Sequence, residues 1–174
     1  MVSAFLEMRD NDAAALGMTL ASLVPGAVEG VLREVVILDA GMGADVRAVA
    51  EHAGCVVRPV DELEGALHGA KGEWVLLLEP GATLMPGWAE ALGTTVAAAG
   101  DACRLTNEDR SLIARLSDMT ARKRPWRLGL VMRRRVLCDR ARSGRVSLVE
   151  LTRAVRAGPV PALIRPARRP AAGL

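Results

Sequence analysis

Aromatic residues make up only 2% of this 174-residue sequence, which contains three Trp, one Phe and no Tyr. Hydrophobic residues nevertheless amount to 51%, so the core must be built mainly from aliphatic side chains and Met. Such a core suits helices packed on a small sheet. The length corresponds to one α/β domain and is sufficient to bury a core.

The sequence also lacks long apolar runs and paired cysteines. No apolar run reaches the roughly 18 residues of a transmembrane helix, and residues 1–10 lack the basic leader of a secretory signal. The cysteines Cys55, Cys103 and Cys138 are widely spaced, without a C-x-x-C pair or nearby histidines, which predicts free thiols rather than a zinc site. We therefore expect a soluble protein of the cytoplasm.

Common catalytic motifs are missing as well. His52 and His68 have no second histidine at ligand spacing, and no G-x-S-x-G sequence marks a nucleophilic serine. The pair Gly41 and Gly43 is followed neither by a third glycine nor by Gly-Lys-Ser/Thr, so it is weak evidence for a phosphate loop. These absences argue against a zinc enzyme, a serine hydrolase and a P-loop protein.

Strand-like and helix-like segments alternate along the first hundred residues. The predicted strands are residues 2–6, 34–41, 55–59 and 73–79, and the predicted helices are residues 11–24, 44–54, 61–72 and 85–100. Pro25 and Gly26 are expected to end the first helix. This alternation indicates a mostly parallel sheet with helices on both faces, and ligands bind at the carboxyl ends of such strands. The expected site comprises residues 8–11, 39–43 and 79–82.

The charges divide sharply along the chain. Residues 1–118 hold 8 Lys and Arg against 18 Asp and Glu, whereas residues 119–174 hold 15 against 2. Either the two parts neutralise one another in the fold, or the basic part meets an anionic partner. Ten basic residues lie within residues 122–145, which would suit peripheral contact with an anionic membrane at the cytoplasmic face. We expect no nucleic-acid partner, because the acidic part would repel the phosphates.

Several segments, in this order, resemble family 2 glycosyltransferases, which have the GT-A fold. About residues 2–92 resemble the nucleotide-sugar half of these enzymes, through the segments VSAFLEMRDNDAAALGMTLASL, REVVILDAGMGAD, AGCVVRP and GALHGAKGEWVLLLEPGATLMPGWAEAL. The acceptor-side segment and the closing helix and strand are similar to LGLVMRRRVL and SLVELTRAVRAGPVPALIRPARR. The resemblance implies one Rossmann-like α/β domain over residues 1–165. Residues 1–100 would form its nucleotide-binding half, residues 101–165 its basic acceptor-side half, and the Arg/Pro/Ala-rich residues 166–174 a disordered tail.

The resemblance also implies a set of nucleotide-binding residues. The turn after the first strand, usually Thr-x-Asn-Glu in the family, matches Met8 followed by Arg9, Asp10 and Asn11. The carboxylate that ends the second strand matches Asp39, and Gly41 would allow a nucleotide to approach the backbone. An alternative for Asp39 is a purely local role, in which it turns the chain or caps the next helix.

The acidic motifs of the family are incomplete here. The Asp-x-Asp-like motif after the fourth strand falls on Glu79-Pro80-Gly81. A Mg²⁺ or Mn²⁺ ion needs several hard oxygen ligands; Glu79 can supply one, and Gly81 cannot supply another. We therefore predict that donor binding depends little on a divalent metal.

The family's catalytic base is also missing from its expected position. The Glu-Asp pair that precedes the closing helix falls on Ser147-Leu148, which leaves Glu150 as a candidate base, with a solvated helix residue as the alternative. The acidic run 107–109 is predicted to begin a helix rather than to reach the site.

The resemblance implies transfer of a sugar from a nucleotide-sugar donor to an acceptor that the sequence does not identify. The alternative is a catalytically silent GT-A-fold binding or scaffold protein, associated with an anionic membrane through its Arg-rich part.

Overall fold

The computed structural model describes residues 1–9, 12–96, 100–109, 111, 125–142 and 147–167. Apolar strands of the predicted kind form one eight-stranded sheet in the order β3-β2-β1-β4-β7-β6-β8-β5. The strands are β1 (Val2–Met8), β2 (Leu32–Asp39), β3 (Val56–Pro59), β4 (Trp74–Leu78), β5 (Thr83–Leu84), β6 (Ala102–Asn107), β7 (Leu130–Arg133) and β8 (Gly158–Arg165).

The sheet is mostly parallel. β1 pairs in parallel with β2 and β4, β2 with β3, and β6 with β8. β7 is antiparallel to both β4 and β6, and β5 is antiparallel to β8. It follows that β1, β2, β3, β4, β6 and β8 share one direction, and that the carboxyl ends of these strands lie at one edge of the sheet.

Helices cover both faces of the sheet, as the sequence predicts. The α-helices among the described residues are α1 (Ala13–Val28), α2 (Ala44–His52), α3 (Leu63–Gly69), α4 (Trp88–Val96), α5 (Arg134–Arg142) and α6 (Leu148–Thr152). Buried side chains of α1, α2 and α4 pack in one hydrophobic cluster, and those of α3, α5 and α6 in another. None of the described helices combines the length and the apolar character needed to cross a membrane.

The prediction that Pro25 and Gly26 end the first helix is wrong, because α1 continues to Val28. Proline removes one backbone hydrogen bond within a helix, but here a tertiary contact supports the same turn. The indole N–H of Trp88 donates to the carbonyl oxygen of Ser22 at 3.0 Å. Gly26 leaves the space that the indole fills, since a Cβ at this position would lie 2.3 Å from a Trp88 ring carbon.

Candidate functional site

The carboxyl ends of β1, β2 and β4 meet at one edge of the sheet. Met8 of β1 is paired with Asp39 of β2, and Leu6 of β1 is paired with Leu78 of β4. Glu79 follows Leu78 directly. The prediction that these three strand ends share an edge is therefore confirmed, and the edge forms the frame of the candidate site.

Asp39 is held by local hydrogen bonds at this edge. Its Oδ1 atom accepts hydrogen bonds from the backbone N–H groups of Gly41 and Met42, each at 2.9 Å, and its Oδ2 atom accepts one from the Arg47 guanidinium. The Met42 and Gly41 hydrogen bonds, with a smaller contribution from Arg47, lower the pKa of the Asp39 carboxyl below its ordinary value. The side chain keeps 18% of its surface exposed, so a ligand can reach part of it.

The local role considered for Asp39 is thus present in the structure. Gly41 has a φ of +111°, a conformation that favours glycine, and a Cβ there would meet no atom within 4 Å. Gly41 is therefore needed for the shape of the turn that binds Asp39, while the space above it stays open. Both features are compatible with a ligand lying over this turn.

Arg9 follows β1 at the same edge and forms an ion pair with Glu7, with 2.6 Å between the closest nitrogen and oxygen. Its side chain is 69% exposed, so the guanidinium lies at the surface of the edge. Asp10 and Asn11, the other predicted nucleotide-binding residues of this turn, lie outside the described residues.

Residues Glu79–Ala82 form a tight turn at the end of β4. The backbone N–H of Ala82 donates to the carbonyl oxygen of Glu79 at 3.1 Å, Pro80 occupies the second position, and Gly81 has a φ of +88°. This is the pattern of a type II turn, which prefers proline second and requires positive φ third. The Pro-Gly sequence thus sets the chain geometry that leads from β4 to β5.

Gly81 is anchored to α1 rather than directed at a ligand. Its N–H lies 3.1 Å from the carbonyl oxygen of Ala15 and 2.9 Å from the hydroxyl oxygen of Thr19. A Cβ on Gly81 would lie 3.4 Å from that of Ala167 and 3.5 Å from that of Ala15. A side chain at position 81 would therefore begin between α1 and the segment after β8, so it would be poorly placed to serve as a metal ligand.

The described residues do not form a metal cage around Glu79. Among them, no three or more His, Cys, Asp or Glu side chains converge in a manner that could hold an ion. A divalent ion that binds mainly through protein ligands usually requires more oxygens than one carboxylate supplies. The donor set that the described residues place at this edge does not fit such a site, and the chemistry proposed below uses no metal.

An acidic run that the sequence analysis assigned elsewhere lies at the same edge. Asn107 ends β6, and the backbone N–H of Glu108 donates to the carbonyl oxygen of Ile164 at the end of β8. Asn107 is a strand residue, so the expectation that this run begins a helix is wrong at that position, and the helix expected to follow lies outside the described residues. In the sequence, Cys103 and Leu105 alternate with the polar residues Arg104 and Thr106, which is the period-two pattern of a strand.

Two arginines of the basic part also lie at this edge. Arg127 belongs to the short 3₁₀ turn Pro125–Leu128, which precedes β7 and contacts both β4 and β6. Arg165 ends β8 and forms two hydrogen bonds with the Glu108 carboxylate, at 2.9 and 3.2 Å. The edge therefore combines carboxylates and guanidinium groups over several strands.

Glu150 is an exposed residue of α6, as the alternative to a catalytic base predicts. It lies in α6, where its backbone N–H donates to the Ser147 hydroxyl oxygen at 3.3 Å, and the Ser147 hydroxyl lies 3.2 Å from its carboxylate. Serine at the N-cap and glutamate three residues later occupy the positions of a capping box, and the hydrogen bond to the serine side chain is present. The structure thus shows Glu150 stabilising the start of α6, and its role as a base remains a prediction.

Comparison with known proteins gives a clear fold and no sequence family. No protein-family model matches the sequence, and no curated protein matches it. The chain is similar to the crystal structure of mannosyl-3-phosphoglycerate synthase from Rubrobacter xylanophilus, with a TM-score of 0.63 and 16% identity. That alignment covers 98% of this chain and 68% of the other.

The chain is also similar to glucosyl-3-phosphoglycerate synthase from Mycobacterium tuberculosis. One structure has a TM-score of 0.60 and 19% identity, over 98% of this chain and 74% of the other. Another, in complex with Mn²⁺, uridine diphosphate and phosphoglyceric acid, has a TM-score of 0.56 and 18% identity, over 79% of this chain and 57% of the other. In this last alignment, this chain spans little more than half the length of the other chain. At these identities the likeness establishes the fold alone, a single α/β domain with a GT-A-like fold.

Proposed function

We propose that this chain binds a nucleotide-sugar donor at the carboxyl edge of its sheet and transfers the sugar to an acceptor. The observation that carries the proposal is the meeting of the β1, β2 and β4 ends, with Asp39 partly exposed over an open glycine turn. Parallel α/β sheets bind ligands at this edge. The similar synthases, one of them in complex with uridine diphosphate, support a nucleotide as the ligand.

The nucleoside would bind at the ends of β1 and β2. Because its pKa is lowered, the Asp39 carboxyl is ionised at neutral pH and can only accept hydrogen bonds. Its Oδ2 atom would accept from an N–H group of the base or from a ribose hydroxyl. Arg9, exposed beside it, would contact the same ligand.

The diphosphate would lie towards β4 and β6. Arg127 is placed there by the 3₁₀ turn between these strands, and a guanidinium is well suited to bind phosphate oxygens. In the reaction, an acceptor hydroxyl oxygen bonds to the anomeric carbon while the bond from that carbon to the diphosphate breaks. The nucleoside diphosphate leaves with the electron pair, and the hydroxyl proton passes to a base or to water.

Isothermal calorimetry against nucleoside diphosphates and their glucose and mannose derivatives, with and without Mn²⁺, tests the donor site. We expect Asp39→Ala to weaken binding by about 10- to 100-fold, the effect of losing a hydrogen bond to a charged acceptor. Asp139→Ala, which removes an exposed aspartate of α5 that is also paired with an arginine, is the matched control. Circular dichroism verifies that each variant folds.

Transfer itself is tested by incubating the protein with a bound donor and a panel of acceptors that includes phosphoglyceric acid. A glycosylated acceptor supports the full proposal. Binding without transfer or donor hydrolysis would favour the silent binding protein instead. No binding of any nucleotide at millimolar concentration would overturn the proposed function.

A further inference from the structure

The Asp39 carboxylate, on which the proposed donor site rests, already has hydrogen-bond donors on both of its oxygens. Its Oδ1 atom accepts from the backbone N–H groups of Gly41 and Met42, each at 2.9 Å, and its Oδ2 atom accepts from the Arg47 guanidinium. Only 18% of the side-chain surface is exposed. A nucleoside that binds to Asp39 must therefore share the carboxylate with these donors or replace one of them.

The two donors of Oδ1 are fixed by the backbone. Both N–H groups belong to the turn that follows β2, and Gly41 holds that turn in a conformation that favours glycine, with a φ of +111°. Met42 is buried, with 9% of its surface exposed. Neither N–H group can leave Asp39 unless the backbone of the turn rearranges.

The donor of Oδ2 is a side chain that can move away. Arg47 lies near the start of α2, where its backbone N–H donates to the carbonyl oxygen of Gly43 at 3.0 Å, and its side chain is 45% exposed. Among the described residues, Asp39 is the only hydrogen-bond or ion-pair partner of its guanidinium. Rotation about the side-chain bonds of Arg47 therefore moves the guanidinium into solvent and leaves the helix unchanged.

Asp39 stays ionised when Arg47 moves away. The hydrogen bonds from Met42 and Gly41 are the largest causes that lower the pKa of the Asp39 carboxyl, and the charge of Arg47 is a smaller one. The ordinary pKa of an aspartate is already about 4, so the backbone bonds alone keep the carboxylate negative at neutral pH. It can then accept from a nucleoside the hydrogen bond that it accepted from Arg47.

We infer that Arg47 and the donor nucleoside compete for Oδ2 of Asp39, so that the ion pair is an autoinhibitory contact of the donor site. The inference rests on the proposed function, since it takes Asp39 as the carboxylate that binds the nucleoside. On binding, an N–H or O–H group of the nucleoside replaces the guanidinium, which turns towards solvent. Breaking an exposed ion pair of this kind lowers an affinity by about two- to fivefold, so the contact weakens donor binding and does not prevent it.

An NMR titration with uridine tests the competition, because uridine is uncharged and the loss of an arginine does not change its electrostatic attraction to the protein. We expect Arg47→Met to bind uridine about two- to fivefold more tightly than wild type at low salt. Salt at about 0.5 M screens the ion pair, so it should raise the affinity of wild type towards that of Arg47→Met and leave the variant unchanged. Arg47→Lys, which keeps a cation on a long side chain, should bind uridine as wild type does.

Two controls show whether Arg47 acts through Asp39. Arg142→Met removes an exposed arginine that is paired with Asp139 on α5, and it should leave uridine binding unchanged. In an Asp39→Asn background, which lacks the ion pair, Arg47→Met should change the uridine affinity much less than it does in wild type. If Arg47→Met binds uridine no more tightly than wild type, the inference is overturned while the donor site stands. If no variant binds uridine or uridine diphosphate, the donor site itself is overturned, and the inference with it.

Discussion

The backbone N–H of Gly81 donates a hydrogen bond of 2.9 Å to the hydroxyl oxygen of Thr19, which is fully buried in α1. This bond joins the turn at the end of β4 to the helix that follows β1. It matters for the candidate site because the same turn positions Glu79. The two segments lie 62 residues apart, so the contact exists only in the folded chain.

We expect Thr19→Val to destabilise the protein by about 1 kcal/mol, because valine has nearly the same shape but cannot accept the Gly81 hydrogen bond. Urea unfolding measures the change. Thr94→Val is the control, since the Thr94 hydroxyl bonds only to carbonyls of its own helix among the described contacts. Equal losses in the two variants would show that the bond to Gly81 adds nothing specific.

Gly81→Asp tests whether the missing second carboxylate can be restored. We expect it to cost about 1–2 kcal/mol, the penalty for an L-residue in a left-handed conformation, with a further cost because Ala167 and Ala15 approach the added Cβ. We expect no gain in Mn²⁺ affinity, since the side chain starts between α1 and the segment after β8. Calorimetry with Mn²⁺ and thermal unfolding measure the two effects.

Gly54→Asp separates strain from crowding in that experiment. Gly54 also has a positive φ, of +73°, but its Cβ would meet no atom within 4 Å. Replacing Gly54 should therefore lower the free energy of unfolding by less than replacing Gly81 does. Manganese binding acquired by Gly81→Asp alone would show that the turn can rearrange to present a ligand.

Asp39→Asn tests the link between this carboxylate and stability. A carboxyl whose pKa is lowered in the folded state stabilises the protein above the ordinary pKa, near 4, and this contribution is lost as the pH falls through the folded-state value. We expect the variant to lose about 1 kcal/mol at pH 7, where the ionised group bonds to Gly41, Met42 and Arg47. The difference from wild type should shrink below about pH 4.

Unfolding free energies between pH 3 and 8, measured for wild type, Asp39→Asn and the exposed-site control Asp61→Asn, decide the matter. The unfolding free energy of the control should change with pH in the same way as that of wild type across this range. A constant difference between Asp39→Asn and wild type down to the lowest pH would mean that charge on Asp39 does not contribute to stability.

The fold could be predicted largely from local patterns. Continuous apolar runs such as residues 73–79 and helical spacing in α1 and α2 are properties of neighbouring residues, and their alternation implies a parallel sheet. The antiparallel strands β5 and β7 were not identified, because β5 has two residues and β7 lies in an Arg-rich segment. The end of α1 was misplaced because it depends on Trp88, more than 60 residues away.

The candidate site was predictable to a smaller extent. Asp39 and Glu79 could be placed because Asp39 ends one recognisable strand and Glu79 follows another. Glu108 and Arg165 could not, since their pairing depends on β6 and β8 lying side by side. In the sequence, Pro80 and Gly81 stand out because neither can supply a metal ligand. The φ of Gly81 and its hydrogen bonds to α1 show that the two residues shape a turn.

The basic part of the chain is partly neutralised within the fold. Arg133 and Arg135 both contact Asp101, and Arg165 pairs with Glu108. Arg140 donates instead to the carbonyl oxygens of Leu151 and Arg153. Residues 119–124, 143–146 and 168–174 of the basic part lie outside the described residues, so these ion pairs account for only part of the charge.

We expect weak, salt-sensitive binding to anionic vesicles, because exposed arginines attract acidic headgroups by about 1 kcal/mol for each nearby charge. Arg135 and Arg142 on α5 are 72% and 62% exposed, whereas Trp126 is buried and cannot anchor the protein at the interface. Sedimentation with phosphatidylserine vesicles should show binding at low salt that fades at a few hundred millimolar salt as the charges are screened. The double variant Arg135→Gln/Arg142→Gln should bind less, and Arg33→Gln/Arg47→Gln removes the same charge from the acidic part as a control. Absence of binding at low salt would show that ion pairs within the fold neutralise the basic part of the chain.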